Sequence, residues 1–168
     1  LTADEGCGDD RFGDSVATWG GVAVIGAYGD DDNDPDSGSA YSDEQQADGT
    51  WQQVAKLTAD DGAYGDKFGH SVATSGGVAV IGAYRDDNDN GDSSGSAYVY
   101  EQQADDTWQQ IAKLTADDGA EGDQFGWSVA TSGGNAPAVL VVLRPASYTH
   151  LTLPTSLLLS IHCVDVLL

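Results

Sequence analysis

Apolar residues in this chain come in short runs broken by glycine- and aspartate-rich segments, and over no useful length do they recur at helical spacing. Residues 68–74 form a first candidate strand, ended by Gly76-Gly77. Residues 78–83 are an apolar run without alternation, the signature of a strand covered on both faces. Residues 96–102 alternate, with Tyr98 and Tyr100 on one face and Ala97 and Val99 on the other. Residues 107–114, carrying Trp108 and Ile111, make the fourth strand. The segments between them have the composition of turns: Ser75-Gly76-Gly77, Ala104-Asp105-Asp106 and Asp61-Gly62.

The same pattern occurs more than once. Residues 1–28 match residues 57–84 at 21 of 28 positions without a gap, and residues 114–134 open a third copy. Phe12, Phe68 and Phe125 mark the same point of each copy and recur at a nearly constant interval. The equivalent strands of the first copy are therefore expected at 12–18, 22–27, 39–45 and 50–57. A fixed period with four short strands and large aromatics at set places suits one blade of a β-propeller. It suits a β-solenoid less well, since a solenoid coil usually needs a shorter repeat and fewer tight turns. The expected fold is all-β: antiparallel four-stranded propeller blades, two to three of them, in an incomplete ring. The repeats occupy 1–134, divided as 1–56, 57–113 and a partial 114–134.

Composition changes the picture at two points. The chain has 168 residues, 28 acidic and 6 basic, for a formal net charge of −22. Such a balance repels nucleic acid and anionic membranes, which need stripes of lysine and arginine. Two cysteines, Cys7 and Cys163, make neither a disulfide framework nor a cysteine-rich metal site. The charge is also uneven. Residues 1–134 hold all but one of the acids, and that one is Asp165. Leucine runs the other way, with Leu1, Leu57 and Leu114 alone before the boundary and all the others after it. The third copy breaks off at Asn135, where the others read VAVIGAY. Residues 135–168 are thus expected to be a divergent tail, the product of a frameshift or chimeric join. Its apolar run around 138–143 is expected to imitate at most one strand of the missing blade. Pro145, Pro154, His150, His162 and Asp165 break the tail too often for it to span a bilayer. With Leu1 first and no leader-like segment, the chain reads as a piece of a longer protein.

Phe-Gly occurs at 12–13, 68–69 and 125–126. The first two are followed, at one and the same interval, by Gly-Ala at 26–27 and 82–83, and an Asp-rich loop comes next. In this the chain resembles the FG-GAP repeat family, whose repeats form the blades of the integrin α-subunit propeller and of many bacterial secreted proteins. The family's Gly-Ala-Pro reads Gly26-Ala27-Tyr28 and Gly82-Ala83-Tyr84 here. The resemblance implies an extracellular or cell-surface module for adhesion or protein recognition, without catalysis. Its expected partners are a protein or surface ligand and the remaining blades of the parent chain, not nucleic acid and not the membrane interior. Two alternatives stay open: an accessory domain of a larger secreted enzyme, and a purely structural acidic repeat.

The candidate chemistry is one loop per blade. Asp86, Asn88 and Asn90 alternate and are followed by Gly91, the first half of the calcium pattern D-x-[DN]-x-[DN]-G. Calcium takes six to eight hard oxygens, and a tight loop turns alternate side chains inward. A carbonyl near Asp92 would add an oxygen. Where the family's loop closes with a carboxylate beyond the glycine, this chain has Ser94. In the first loop Asp30, Asp32 and Asp34 alternate, with Pro35 in place of the glycine and Asp36 beyond it. The expected cofactor is structural calcium, held by Asp30, Asp32, Asp34 and Asp36 in one loop and by Asp86, Asn88, Asn90 and Asp92 in the other. The plainer reading is a solvated turn, because aspartate, asparagine and glycine are ordinary turn residues. Crowding of the acids into 30–36, 60–66, 86–92 and 105–106 favours a counter-ion, since such groups repel one another.

Other features read as structure. His70, with Asp14 and Trp127 as counterparts, is expected at the surface rather than as a catalytic base. Trp51 and Trp108 are expected to pack within the blades. Cys7 aligns with Ala63 and Ala120 and stands in for a small apolar residue. The turn at 60–62 with Asp66 is expected to link blades, with a lesser prospect of a second oxygen cluster. No Ser/His/Asp set, H-E-x-x-H, G-x-S-x-G or phosphate loop occurs, so no catalytic residue is expected.

Overall fold

The computed structural model describes residues 9–132 and the backbone of residues 138–142. No helix occurs among the described residues. Strands β1 (Ser15–Trp19), β2 (Val22–Ala27), β3 (Ser39–Gln45) and β4 (Trp51–Leu57) form one antiparallel sheet in that order. Strands β5 (Phe68–Ser75), β6 (Val78–Ala83), β7 (Ser96–Gln102) and β8 (Trp108–Leu114) form a second. Strand β9 (Ser128–Ser132) pairs antiparallel with β10 (Ala138–Val142) and begins a third. Each sheet is a separate meander, as propeller blades require; the stacked parallel coils of a solenoid are absent from the described residues.

The hydrophobic pattern places each strand. The unalternating run of β6 is buried along its whole length. Tyr98 and Tyr100 face the core between the first and second sheets, with Val24, Leu57 and Ile81. Ala97 and Val99 face the next core, with Val80, Phe125 and Val129. Gly20-Gly21 and Gly76-Gly77 make the inner hairpin turns, all four with positive φ, as a two-residue turn matched to strand twist demands. Strand β10 falls where the tail's apolar run is expected to imitate a blade strand; the rest of 135–168 lies outside the described residues, as does Cys7.

One expected strand is displaced. The sequence places the first at 12–18, but β1 begins at Ser15, and Phe12-Gly13 belong to a turn. Arg11 and Gly13 take φ of 59° and 91°, and Asp14 N–H returns to the Arg11 carbonyl (3.3 Å). In the second blade the same Phe-Gly joins the strand through a register shift between Phe68 and Ser71.

The Phe-Gly and Gly-Ala pairs meet at the seam between blades. Phe68 is fully buried, edge-on to Tyr98 at 5.3 Å, and Gly38 bridges it from the preceding blade. Gly69 has φ of 87°, and a Cβ there would collide with the Ser39 carbonyl of that blade. A Cβ on Gly26 would in turn collide with the Gly69 carbonyl, which accepts a hydrogen bond from Ser15 Oγ (2.7 Å). Ser71 Oγ makes the same bond to Gly126 (2.8 Å) one blade on. Only glycine lets the two backbones approach this closely.

Candidate functional site

The acidic loop of each blade joins β2 to β3, or β6 to β7. Its far half is strapped to the next blade. Phe68, Lys67 and Gly65 donate backbone N–H groups to Ser37 (2.9 Å), Asp36 (3.2 Å) and Pro35 (3.1 Å). Phe125, Gln124 and Gly122 repeat this on Ser94 (2.8 Å), Ser93 (3.2 Å) and Asp92 (3.0 Å). The Asp92 carbonyl, expected to face a metal, is thus engaged by Gly122.

The near half of each loop is held by its own blade. Asp30 is buried; its Oδ2 accepts from the Tyr41 hydroxyl (2.9 Å) and pairs with Lys56 Nζ (3.1 Å). Lys56 also pairs with Asp32. In the second blade Asp86 is buried, with Tyr98 at 2.9 Å, Lys113 Nζ at 3.0 Å and Ser96 Oγ at 2.6 Å. Lys113 reaches Asp61 as well (2.6 Å). Each lysine also lies over the ring of its tyrosine, Lys56 at 5.2 Å and Lys113 at 5.3 Å.

These contacts set the charge states. Burial opposes the ionised form of Asp30, but the bonds from Tyr41 and Lys56 outweigh it and hold the carboxyl below its usual range. Burial likewise pulls the Lys56 ammonium down, and Asp32, Tyr41 and Asp30 more than restore it, leaving it above the ordinary lysine value. Burial, with the neighbouring Asp30, pushes the Tyr41 phenol up to about 12, so it stays a donor. Lys113 is raised and Asp61 lowered by the same opposition of burial and pairing.

The expected ligands are therefore dispersed among other partners. Asp30 and Asp32 converge on one point, and an ammonium holds it. Asp36 pairs with Lys67 (2.6 Å) and not with them. The Asp34 N–H is bonded to Ser37 Oγ (3.4 Å). Asn88 turns its amide nitrogen to the Gly95 carbonyl (2.9 Å) and gives its oxygen to the Asn90 N–H (2.9 Å). Asn90 reaches the Ala116 carbonyl (2.8 Å). Among the described residues no three of His, Cys, Asp and Glu come together as a metal would need. As arranged, the Asp30 and Asp32 oxygens that calcium would take in the first loop are held by Lys56 Nζ. An open cleft of about 550 Å³ lies beside the second loop, lined by Asp61, Asp87, Asp89, Lys113 and Asp117 among others.

Sequence reasoning did not bring Lys56, Lys113, Tyr41 or Tyr98 to the site, and it reached Asp61 only through the turn at 60–62 as a lesser prospect of an oxygen cluster. One signal was available: bases are so scarce in 1–134 that two at equivalent positions of the Gln-Gln-x-Ala-Lys-Leu segments call for a role.

His70 is not the surface residue expected. It is half-buried among Tyr84 (4.5 Å between centroids), Trp127 (4.8 Å) and Tyr28 (5.6 Å), with Nδ1 buried and unbonded. Burial lowers its pKa, against a backbone hydrogen bond with Trp127. These rings occupy repeat-equivalent places after Phe-Gly and Gly-Ala, at the blade end where the acidic loops begin. Exposed Arg85 lies over Tyr84 at 5.6 Å, and exposed Arg11 is beside Tyr28. The tryptophans divide: Trp108 packs against the core between sheets, whereas Trp51 is exposed.

The sequence profile of the FG-GAP repeat matches residues 1–41, 51–100 and 108–139. No curated protein matches the chain. The three matched segments span most of the sequence and carry the Phe-Gly and Gly-Ala pairs that build the seams between sheets, and so the chain belongs to the FG-GAP repeat family.

Proposed function

We propose that this chain is a non-catalytic recognition module acting outside the cell, in adhesion or protein binding. FG-GAP repeats are generally non-catalytic recognition modules and typically extracellular. The observation that carries the reading is the aromatic cluster of Tyr28, His70, Tyr84 and Trp127 at one end of the blades, flanked by exposed Arg11 and Arg85. Partly exposed Tyr28, His70 and Trp127, packed around buried Tyr84 and beside arginine, have the composition of a contact surface on a rigid scaffold. No helix of the described residues is long and apolar enough to cross a membrane. The test is surface plasmon resonance of the immobilised chain against a panel of purified matrix and cell-surface proteins. Binding that Trp127→Ala weakens tenfold or more, and Trp51→Ala leaves unchanged, supports the module. Binding insensitive to Trp127→Ala removes this surface from the reading.

The convergence of Asp30 and Asp32 on one cation favours a second reading, structural calcium in the loops. In that reading calcium takes over the carboxylates at the expense of the lysines, with Asp34 joining in the first loop and Asp86, Asn88 and Asn90 serving in the second. A calcium-dependent rise in melting temperature of the wild-type chain is its required sign.

A further inference from the structure

Two loops with different sequences share one arrangement. In each, the first aspartate is buried, a tyrosine from the third strand donates to it, and a lysine from the fourth strand is paired with it. A second, half-exposed carboxylate completes each set. The first blade supplies it from within the loop, as Asp32. The second blade has Asn88 at that position and recruits Asp61 from the segment leading into the blade. The lysine, the tyrosine and the buried aspartate recur in both blades. What recurs among the described residues is an ammonium shared by a buried and a half-exposed aspartate.

A buried carboxylate needs a partner charge or it protonates. Two cations could serve, an external divalent ion or an internal ammonium, and they require the same oxygens. A lysine on a β-strand of the same blade is present at a fixed distance whatever the medium contains, so it competes as an intramolecular ligand. Both buried aspartates are within 3.1 Å of such a lysine.

We propose that Lys56 and Lys113 are the resident counter-ions of the acidic loops, each closing its blade by holding one buried and one half-exposed carboxylate, so that the blades fold without a divalent metal. This goes beyond the recognition reading, is independent of it, and stands against the calcium reading of the same loops.

The experiment is thermal unfolding of the full chain in millimolar calcium and in chelator, with calorimetric titration of calcium alongside. The wild type melts within about 2 °C in the two media. Lys56→Met lowers the melting temperature in chelator by roughly 4 °C or more, and calcium restores part of the loss, because the carboxylates are now free. Calcium binding to Lys56→Met is at least about tenfold tighter than to the wild type, a factor worth about 1.4 kcal/mol. Lys56→Arg keeps the charge and stays insensitive to calcium. Should Lys56→Met fail to fold, the double variant Lys56→Met with Asp30→Asn removes both charges of the buried pair and is expected to fold in chelator. A wild type stabilised by calcium by several degrees overturns the proposal. So does a Lys56→Met variant as stable in chelator as the wild type, or a double variant that folds only when calcium is added.

Discussion

The two complete blades carry nearly the same sequence and keep different company. Val72 packs against the core between the sheets, whereas its counterpart Val16 is 61% exposed. Ser75 is buried and bonded to the Ser132 carbonyl (3.2 Å); its counterpart Trp19 is 43% exposed. Trp108 and Trp51 differ in the same sense. The sheet of β5–β8 has a described neighbour on each face and the sheet of β1–β4 on one. A blade therefore does not bury its own apolar faces. Its neighbours do, so burial is a property of the stack, as in repeat architectures where nearest-neighbour interfaces carry the stability. Equivalent side chains should then have unequal energetic weight, set by what the neighbouring sheet or strand brings to them.

The largest expected effect is at the seam. Gly69 and Gly13 are equivalent, and both have positive φ. An alanine methyl at 69 would meet the Ser39 carbonyl, while at 13 no described residue lies within 4 Å. Gly69→Ala is expected to cost about 3 kcal/mol or more, through strain and collision together. Gly13→Ala should cost about 1 kcal/mol, from backbone strain alone. Urea midpoints of the two variants measure the difference directly. Equal losses would mean that the glycine serves only its own turn and that the seam is not built as described.

The tryptophans give the next contrast. Trp108→Ala removes a ring packed against the core between the sheets and is expected to cost about 2 kcal/mol, below the range for a fully buried ring. Trp51→Ala, at an exposed site, should change stability by about 0.5 kcal/mol or less. A large loss at Trp51 would show that its ring is covered in solution.

Much of the fold was legible because the sequence repeats. Strands β2, β3, β6 and β7 fall on their expected bounds, since unalternating runs and Tyr/Val alternation leave little freedom of phase. The start of β1 was not legible: Phe12 and Phe68 read alike, and only the presence of a preceding blade decides whether Phe-Gly joins a strand. The loops were legible as sites of concentrated charge but not in what neutralises it. Alternating aspartates suit a metal as well as they suit an ammonium. Lys56 and Lys113 sit on the last strand of each blade, with a whole strand and a hairpin turn between them and the aspartates they pair with. Nothing local records that pairing. The aromatic cluster was hidden for a related reason. Asp14, His70 and Trp127 are different residue types at one repeat position, and comparing them as single sites suggests tolerance where the fold brings two of them into contact.

The smallest expected effect concerns a charge that the second blade keeps in place through a backbone hydrogen bond, with Lys113 acting on it only from a distance. Asp66 is buried, with Oδ2 accepting from the Ala63 N–H (2.8 Å). Burial pushes its carboxyl up to about 6; the Ala63 bond opposes this, the nearby charges of Asp86 and Asp87 add to the rise, and that of Lys113 lessens it. The folded value thus lies above the unfolded value near 3.8. Such a group favours folding most below the unfolded value, where it is neutral in both states. That contribution is lost as pH rises from about 4 to about 6, and the deficit is constant above. Asp30 and Asp61 have the opposite sign, gaining stability with pH, so the slope of the whole protein does not isolate Asp66. The difference between wild type and Asp66→Asn does. Asparagine keeps an oxygen for the Ala63 N–H and removes the charge. At pH 7 the variant is expected to be more stable by about 1 kcal/mol, and at pH 4 the gain should largely vanish. Urea unfolding at the two pH values reads both numbers. A gain that persists undiminished at pH 4 would mean the effect is packing rather than charge. A loss at pH 7 would mean that the Asp66 carboxylate has a cationic partner, as Asp30 and Asp86 do, and that the contrast between paired and unpaired aspartates within one blade does not hold.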